Sequence, residues 1–223
     1  YYAMGFCLFN NVAVAAAYLL KRYCIDRLLI LDIDAHHGNG TQEVFYDTNR
    51  VLYISLHQDP TGFPGTGFVD ETGGGDGAGY TVNIPFPFWI DDQIYLKAFR
   101  EIVIPIIQQY KPQFILVSVG FDGHYTDPIA ELSLSASCYP KTFSHMLNLA
   151  SRLCTGRLVA VLEGGYSLNH IGKMAAAVVA KMADVPYPFR DTPPVASTKV
   201  REHAEKIVRE VKRIQSSFWD LQP

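Results

Sequence analysis

The sequence predicts an α/β domain of three layers, with a mostly parallel β-sheet between two layers of helices. Five short segments rich in Val, Ile and Leu alternate with helix-like segments along the chain. These segments are apolar almost without interruption, which is typical of strands covered on both faces. The 223 residues are 48% hydrophobic and 18% charged, so one domain of this length can bury a full core.

The elements follow one another in a regular order. An Ala- and Val-rich helix is predicted over 12–23, and the run RLLILDI after it predicts the first strand. Strands are expected where Val, Ile, Leu and aromatic residues cluster, over 27–33, 51–56, 80–86, 114–120 and 157–163. Further helices are expected between and after these strands, over 91–110, 139–153, 170–183 and 197–218.

Two irregular segments interrupt this order. The loop 60–79 carries eight glycines in twenty residues and is either a disordered tether or the rim of a functional site, of which we favour the rim. Residues 186–196 are Pro-rich and predict a linker to the amphipathic helix 197–218, which we expect to pack on the domain. The predicted organisation is one domain over 1–223.

Composition excludes several classes of protein. The net charge is only −3 without any basic block, so neither direct nucleic-acid binding nor binding to an anionic membrane surface is expected. No apolar run approaches the ~20 residues of a membrane span. The four cysteines form no Cys-x-x-Cys pair, and we expect reduced thiols in a cytoplasmic protein. Composition predicts no oligomeric state.

Polar residues stand where several predicted strands end. Asp32, Asp34 and His36 occupy alternate positions after the first strand, so in extended chain they share one face. Ser55 ends the second strand, Asp122 follows the fourth, and Gly164-Gly165-Tyr166 follows the fifth. Because ligands of open α/β sheets bind beyond the carboxyl ends of the strands, these groups are expected in one site.

Asp34, His36 and Asp122 form a set suited to a divalent metal ion. Three protein ligands with one open position are typical of catalytic zinc, whereas closed structural sites have four and favour cysteine. A metal also offsets the cost of burying clustered carboxylates. Asp32 and Asn39 are then expected to orient ligands or a catalytic base. The alternative is an ordinary loop acid and a hydrogen-bonded histidine; the matching strand ends favour the metal.

Several segments resemble the zinc-dependent histone deacetylase superfamily, which has the arginase/deacetylase fold. The order and spacing agree over about residues 5–180, and HHGNGTQ and EGGY are closer to the class II and prokaryotic deacetylase-like branches than to class I. The matching segments are GFCLFNN (5–11), DIDAHHGNGTQ (32–42), SLHQDP (55–60), FPGTG (63–67), VSVGFDGHYTDP (117–128) and LEGGY (162–166).

The resemblance implies a role for each matched residue. Asp34, His36 and Asp122 correspond to the zinc ligands, and Tyr166 to the hydroxyl that hydrogen-bonds the substrate carbonyl. The remaining correspondences are Asp32 and Asn39 with the partners of catalytic histidines, Phe6 and Phe63 with the aromatic walls of the acyl-lysine tunnel, and Gly164 and Gly165 with its floor.

A potassium site is implied as well. It consists of the Ser55 hydroxyl and the main-chain carbonyls of Asp32, Asp34, His36 and Leu56. His37, His57 and His124 are interpreted as structural.

One part of the family pattern is missing. The family carries an adjacent histidine pair, which includes the general base, a few residues before the position of Gly5. No such pair precedes Gly5 here, so we expect an N-terminally truncated deacetylase that is impaired on its own. The implied activity is zinc-dependent hydrolysis of an acetyl amide on lysine in proteins or on a small amine, and the choice between these substrates stays open.

Two alternatives remain at this point. A ureohydrolase with two manganese ions shares the architecture, but it needs a further acid where this chain has Gly38, and Asp122-Gly123-His124 lacks its second paired acid. A non-catalytic acyl-binding or scaffold protein on a degenerate deacetylase fold is the other, although the three ligands and Tyr166 argue against decay of the site.

Overall fold

A computed structural model describes residues 3–221 and has five parallel strands in the order β3-β2-β1-β4-β5. The strands are β1 (Leu28–Asp32), β2 (Val51–Gln58), β3 (Thr81–Phe86), β4 (Phe114–Val119) and β5 (Leu158–Leu162). All five predicted strands are confirmed, with ends that differ by one or two residues. The parallel sheet is confirmed too, since every neighbouring pair runs in the same direction.

Seven α-helices accompany the sheet in the described part of the chain. They are α1 (Asn11–Arg22), α2 (Asn39–Phe45), α3 (Asp92–Ala98), α4 (Ile104–Tyr110), α5 (Cys138–Cys154), α6 (Ile171–Met182) and α7 (Thr198–Gln215). None of the helices between residues 3 and 221 combines the length and the apolar character that a membrane crossing needs.

The sheet separates two apolar cores, which makes the predicted three layers. Leu28 and Ile30 of β1 face the core that contains the buried side of α1. Leu29 and Leu31 face the opposite core, which contains residues of α3 to α7. Because neighbouring residues of β1 are buried on opposite faces, the strand has to be apolar throughout.

Helix α2 was not predicted. It is only seven residues long, it begins within the motif GNGTQ, and it lacks a repeated apolar stripe. Gly38 precedes it, and a Cβ at this position would lie 2.4 Å from Asp32 Oδ2 and 2.6 Å from the Tyr53 hydroxyl. Gly38 therefore lets the backbone lie close to Asp32 and Tyr53. In the sequence, such a glycine predicts a loop rather than the start of a helix.

The predicted helix 91–110 is interrupted. Residues Phe99–Val103 form a π-helical turn between α3 and α4. Pro105 explains the change, because it has no N–H to donate to the carbonyl of Glu101 and its ring crowds that carbonyl.

The irregular segments are held by the domain. The loop 60–79 forms turns and a short 3₁₀ helix, Gly75–Gly77, and residues 186–196 have no regular secondary structure. Helix α7 buries Ala204, Val208 and Val211 against the domain, and Gln215 Nε2 donates to the carbonyl of Thr81 at 3.1 Å.

Candidate metal centre and active site

The candidate site lies where the strand order changes direction. From β1 the chain adds β2 and β3 on one side and then β4 and β5 on the other. Asp32 at the end of β1 is in register with Ser55 of β2 and Ser118 of β4. Asp34 and Asp122 follow the carboxyl ends of β1 and β4, where open α/β sheets place their ligands.

Asp34, His36 and Asp122 form one group in which a ligand atom of each lies within 4.8 Å of the others. His36 Nδ1 lies 2.8 Å from Asp122 Oδ2 and 3.4 Å from Asp34 Oδ1. The structure thus brings together the three residues predicted to hold a metal ion.

Backbone N–H groups fix both carboxylates. Asp34 Oδ1 accepts from the N–H of His36 at 2.8 Å, and Oδ2 accepts from Gly164 at 2.9 Å. Asp122 Oδ1 accepts from the N–H of Ala35 at 2.9 Å, which leaves Oδ2 facing His36. The two carboxylates are therefore oriented by backbone N–H groups that follow β1 and β5, and not by His36 alone.

Charge in the group is strongly coupled. Burial acts against the His36 cation, yet hydrogen bonds to Asp122 and Asp34 and their charges raise its pKa to about 10. Burial and the charge of Asp34 raise the pKa of Asp122 to about 7. For Asp34, burial is outweighed by hydrogen bonds with His36 and Asp122, so its pKa is lowered. The negative charge of the two carboxylates is thus offset by bound protons, and a metal cation can replace these protons.

Asp32 lies next to this group but faces another partner. Its Oδ1 accepts from the N–H of Asp34 at 3.1 Å, and Oδ2 accepts from the Tyr53 hydroxyl at 2.8 Å. Burial and the charge of Asp34 raise its pKa well above the usual range. Asn39, at the start of α2, donates from Nδ2 to Met4 Sδ at 3.5 Å.

Tyr166 and two phenylalanines surround the group. The Phe6 ring packs edge-on against Tyr166 at 6.0 Å, and the Phe63 ring packs edge-on against His36 at 5.9 Å. Phe6 is 86% exposed and Phe63 43%, so neither belongs to the apolar core. Gly164 leaves room beneath them, because a Cβ there would lie 2.6 Å from Asp34 Oδ2. Gly165 follows with φ +135°.

The residues of the predicted potassium site are neighbours in the sheet. Ser55 and Leu56 are fully buried on β2, beside the end of β1. Ser55 Oγ lies 2.7 Å from His57 Nδ1, so this hydroxyl already has a protein partner. Potassium binding stays a prediction.

A buried polar network anchors the loop 60–79. His37 Nε2 lies 3.0 Å from Gln42 Oε1, and Gln42 Nε2 donates to Glu71 Oε2. Glu71 also accepts from the N–H of Gly67 at 2.9 Å, and the Gly67 carbonyl lies 2.9 Å from His57 Nε2. Both histidines therefore hold the loop that carries Phe63.

Sequence patterns did not single out several residues of the site. Tyr53 holds Asp32, Glu71 holds the glycine-rich loop, and Asp127 Oδ2 accepts from the N–H of Tyr166 at 2.7 Å. Tyr53 sits two residues before Ser55 on β2, which is a weak signal; the other two lie in loops whose partners only the fold reveals.

Known proteins share both the sequence and the fold. The histone deacetylase domain matches residues 2–182. A probable deacetylase of Archaeoglobus fulgidus is 42% identical over 98% of this chain and 63% of its own length. Histone deacetylase HDA1 of Saccharomyces cerevisiae is 40% identical over 98% of this chain and 31% of its own length. The HDA15 HD domain has a TM-score of 0.83 at 36% identity, covering 97% of this chain and 58% of that structure.

The sheet order, flanking helices and structural neighbours define a protein of the arginase/deacetylase fold. The chain belongs to the histone deacetylase family. It spans 63% of the length of the archaeal relative and 31% of that of the yeast relative.

Proposed function

We propose that this protein is a zinc-dependent deacetylase that hydrolyses an acetyl amide on lysine or on a related amine. The observation that carries the proposal is the group of Asp34, His36 and Asp122 beside Tyr166 at the carboxyl edge of the sheet. Family membership supports the same class of reaction.

The three ligands fit zinc. One imidazole and two carboxylates are donors that Zn²⁺ accepts, and three protein ligands leave a position open. Among residues 3–221, no Lys or Arg forms an ion pair with either carboxylate, so a metal ion has no side-chain cation to displace other than the proton of His36. When bound, zinc polarises a carbonyl and lowers the pKa of water toward ~7.

Tyr166 is suited to stabilise the developing oxyanion. Burial and the charges of Asp122 and Asp34 raise its pKa to about 12, so at neutral pH the phenol keeps its proton and can donate it in a hydrogen bond. One such donor contributes about 2.7–4 kcal/mol to the transition state. Phe6 and Phe63 offer apolar walls for an acyl-lysine stem, whose charge acetylation removes.

The general base is a separate question. His36 and His37 are the only adjacent histidines in the 223 residues. His36 belongs to the metal group, and His37 is buried against Gln42 and Thr66. We therefore propose that this polypeptide binds the metal and the substrate but turns over slowly by itself. Asp32 and Asn39 are proposed to support a histidine base.

Three further aspects belong to the proposal. Substrates are acetylated lysine in proteins or acetylated small amines, and no direct binding of nucleic acid is expected. Potassium is proposed at Ser55 and Leu56 with the carbonyls of β1. A cytoplasmic location is proposed because all four cysteines are free thiols, two of them buried.

The ureohydrolase alternative is disfavoured by the geometry. Residues 3–221 contain one group of three potential ligands rather than two adjoining ones. His124 Nε2 faces Asp191 at 2.6 Å instead of the metal group.

The test measures acetate release from an acetyl-lysine peptide and from an acetylated polyamine. We expect slow, chelator-sensitive release that zinc restores and that added imidazole accelerates, because imidazole can supply the missing base. Release that chelators and zinc leave unchanged would contradict the proposal. Fast release of acetate without imidazole would contradict only the proposal that the polypeptide turns over slowly by itself.

The Tyr166→Phe variant tests the role of the hydroxyl. We expect kcat to fall by about 10²–10³-fold, with the bound zinc unchanged, because only the oxyanion donor is lost. Tyr187→Phe, at an exposed tyrosine of the linker, is the control and should leave kcat unchanged. A Tyr166→Phe variant as active as the unaltered chain would show that the hydroxyl has no part in the reaction.

A further inference from the structure

Residues 185–197, here called the strap, follow α6 and lie beyond the part of the chain that matches the family domain, which ends at residue 182. The strap has no regular secondary structure, yet the Asp191 side chain within it is only 7% exposed. Asp191 Oδ2 lies 2.6 Å from His124 Nε2 and accepts from the N–H of Ala136 at 3.0 Å. A buried carboxylate is costly unless it is hydrogen-bonded, so these contacts hold the strap at Asp191.

His124 links Asp191 to the loop of Tyr166 through hydrogen bonds. It is fully buried, and its Nδ1 lies 2.8 Å from Thr126 Oγ1. Thr126 Oγ1 lies 2.7 Å from Ser167 Oγ, which belongs to the residue after Tyr166. His170 Nδ1 lies 3.1 Å from Ser167 Oγ and 3.2 Å from Thr126 Oγ1. One set of protons satisfies these contacts: His170 Nδ1–H donates to the hydroxyls, Ser167 donates to Thr126, Thr126 donates to Nδ1 of His124, and Nε2–H donates to Asp191.

The loop that carries Tyr166 depends on the same histidine at a second point. The N–H of Tyr166 donates to Asp127 Oδ2 at 2.7 Å, and the N–H of Asp127 donates to the His124 carbonyl at 2.8 Å. Within residues 3–221, the Tyr166 hydroxyl forms no hydrogen bond with the protein, and its ring contacts Phe6 only edge-on. The position of the Tyr166 hydroxyl therefore depends on the contacts that hold the backbone of Tyr166.

We propose that Asp191 is a positioning residue, which acts through His124, Thr126 and Ser167 to fix the backbone around Tyr166. A segment outside the family domain would thus set the position of the oxyanion donor. The catalytic consequence rests on the proposed function, whereas the ordering of the tyrosine loop does not.

Two substitutions of Asp191 should have different effects on this series of hydrogen bonds. In Asp191→Ala, the N–H groups of His124 and Ala136 lose their acceptor in a buried place. In Asp191→Asn, the amide can donate to Nε2 and accept from Ala136, and each hydroxyl then turns round. The asparagine variant should therefore keep the loop in place, and the alanine variant should release it.

The experiment observes Tyr166 directly, by ¹⁹F NMR of the full chain labelled with 3-fluorotyrosine. The resonance is assigned by its absence in Tyr166→Phe. We expect it to shift and broaden in Asp191→Ala and to return near its original position in Asp191→Asn. Thr126→Val breaks the same chain in the middle with little change of volume, and it should reproduce the alanine spectrum.

Asp91→Ala is the matched control. Asp91 Oδ2 accepts from the N–H of Ala196 at 3.2 Å and from Arg201 Nη2 at 2.8 Å, so it holds the far end of the strap without contacting His124. This variant should lower the melting temperature and leave the Tyr166 resonance in place. An unchanged resonance in both Asp191→Ala and Thr126→Val, or the same change in Asp91→Ala, overturns the inference.

A kinetic measurement separates the inference from the proposed function. With an acetyl-lysine peptide and imidazole, Asp191→Ala should lower kcat about tenfold and change KM less than twofold, and Asp191→Asn should recover most of kcat. If no variant hydrolyses the peptide but the resonance moves as expected, the proposed function fails and the positioning role of Asp191 stands.

Discussion

His36 shows how one side chain balances the charge of the site. Its imidazole faces two carboxylates, one of them completely buried, and their hydrogen bonds and charges overcome burial to raise its pKa to about 10. Without a metal ion the imidazole is therefore protonated at neutral pH, and Asp122, with a pKa of about 7, shares the proton load. In the proposed metal site a divalent ion would take over this role, because a histidine must be neutral to bind it.

The pH dependence of zinc binding follows from this exchange. Because the pKa of His36 is about 10 in the metal-free site, zinc must displace its proton at any pH below that value. Since Asp122, with a pKa of about 7, also carries a proton below that pH, we expect between one and two protons released per zinc at pH 7. The apparent affinity should rise about tenfold per pH unit near pH 8 and more steeply toward pH 6. Titration calorimetry in buffers of different ionisation enthalpy measures the release. Zinc binding without proton release would contradict a protonated His36 in the metal-free site.

Gly164 tests the geometry of the same group. In Gly164→Ala the new Cβ would lie 2.6 Å from Asp34 Oδ2 and 2.8 Å from Asp122 Oδ2, so one carboxylate has to move. We expect zinc affinity to fall about 10–100-fold, as for the loss of other groups that orient ligands. Gly172→Ala in α6 is the control, since its Cβ meets nothing within 4 Å and should leave affinity unchanged. Equal affinities in both variants would show that Gly164 is not needed for the close approach.

That Asp34 and His36 lie together could be predicted from the sequence, whereas the residues that support the site could not. Asp34 and His36 alternate with Asp32 after an apolar strand, and this period of two places them on one face. Asp127 and Glu71 carry no such signal. Their partners are Tyr166 and Gly67, and loops become neighbours only through the packing of the whole domain.

At the scale of elements, the glycine-rich loop 60–79 is an ordered rim. Glu71 accepts from the N–H groups of Gly67 and Phe68 at 2.9 and 3.2 Å and from Gln42 of α2. Asn83 of β3 donates to Gln42 Oε1 at 2.8 Å. One carboxylate thus ties the loop to a helix and, through Gln42, to a strand.

Glu71→Ala should loosen this loop. The substitution leaves three donors without an acceptor, so we expect faster proteolytic cleavage within 60–79 and faster amide exchange at Gly67 and Phe68. Glu43→Ala, on the exposed face of α2, is the control and should leave both rates unchanged. An equal cleavage pattern in the two variants would show that Glu71 does not hold the loop.

Sequence patterns predicted the long elements well and the short ones poorly. Strands β1 to β4 are mostly apolar runs buried on both faces, which leaves them little other composition, whereas the edge strand β5 exposes Val159 and Leu162 and is recognised by its Val and Leu content alone. Helix α2 has seven residues, with Gly38 just before it and Gly40 at its second position, so local preference argues against it. The π-helical turn before Pro105 keeps the apolar stripe of an ordinary helix, so hydrophobic periodicity cannot distinguish it from an α-helix.

At the scale of the whole molecule, the parallel sheet assembles the site. β1 lies at the centre, with β2 and β4 on its two sides, so residues 86 positions apart, His36 and Asp122, come within 2.8 Å. All strands point the same way, and each contributes its carboxyl end to one edge. Helix α7 and the strap close the domain from the opposite end of the sequence.

Metal content tests the central claim most directly. After saturation with zinc and removal of the excess, mass spectrometry of the chain should find one zinc per polypeptide. Asp122→Asn retains an oxygen that can accept from Ala35 but replaces the charged ligand atom, so it should lower the affinity at least about tenfold. Two zinc ions per chain, or one ion bound equally tightly by Asp122→Asn, would contradict a single ion held jointly by Asp34, His36 and Asp122.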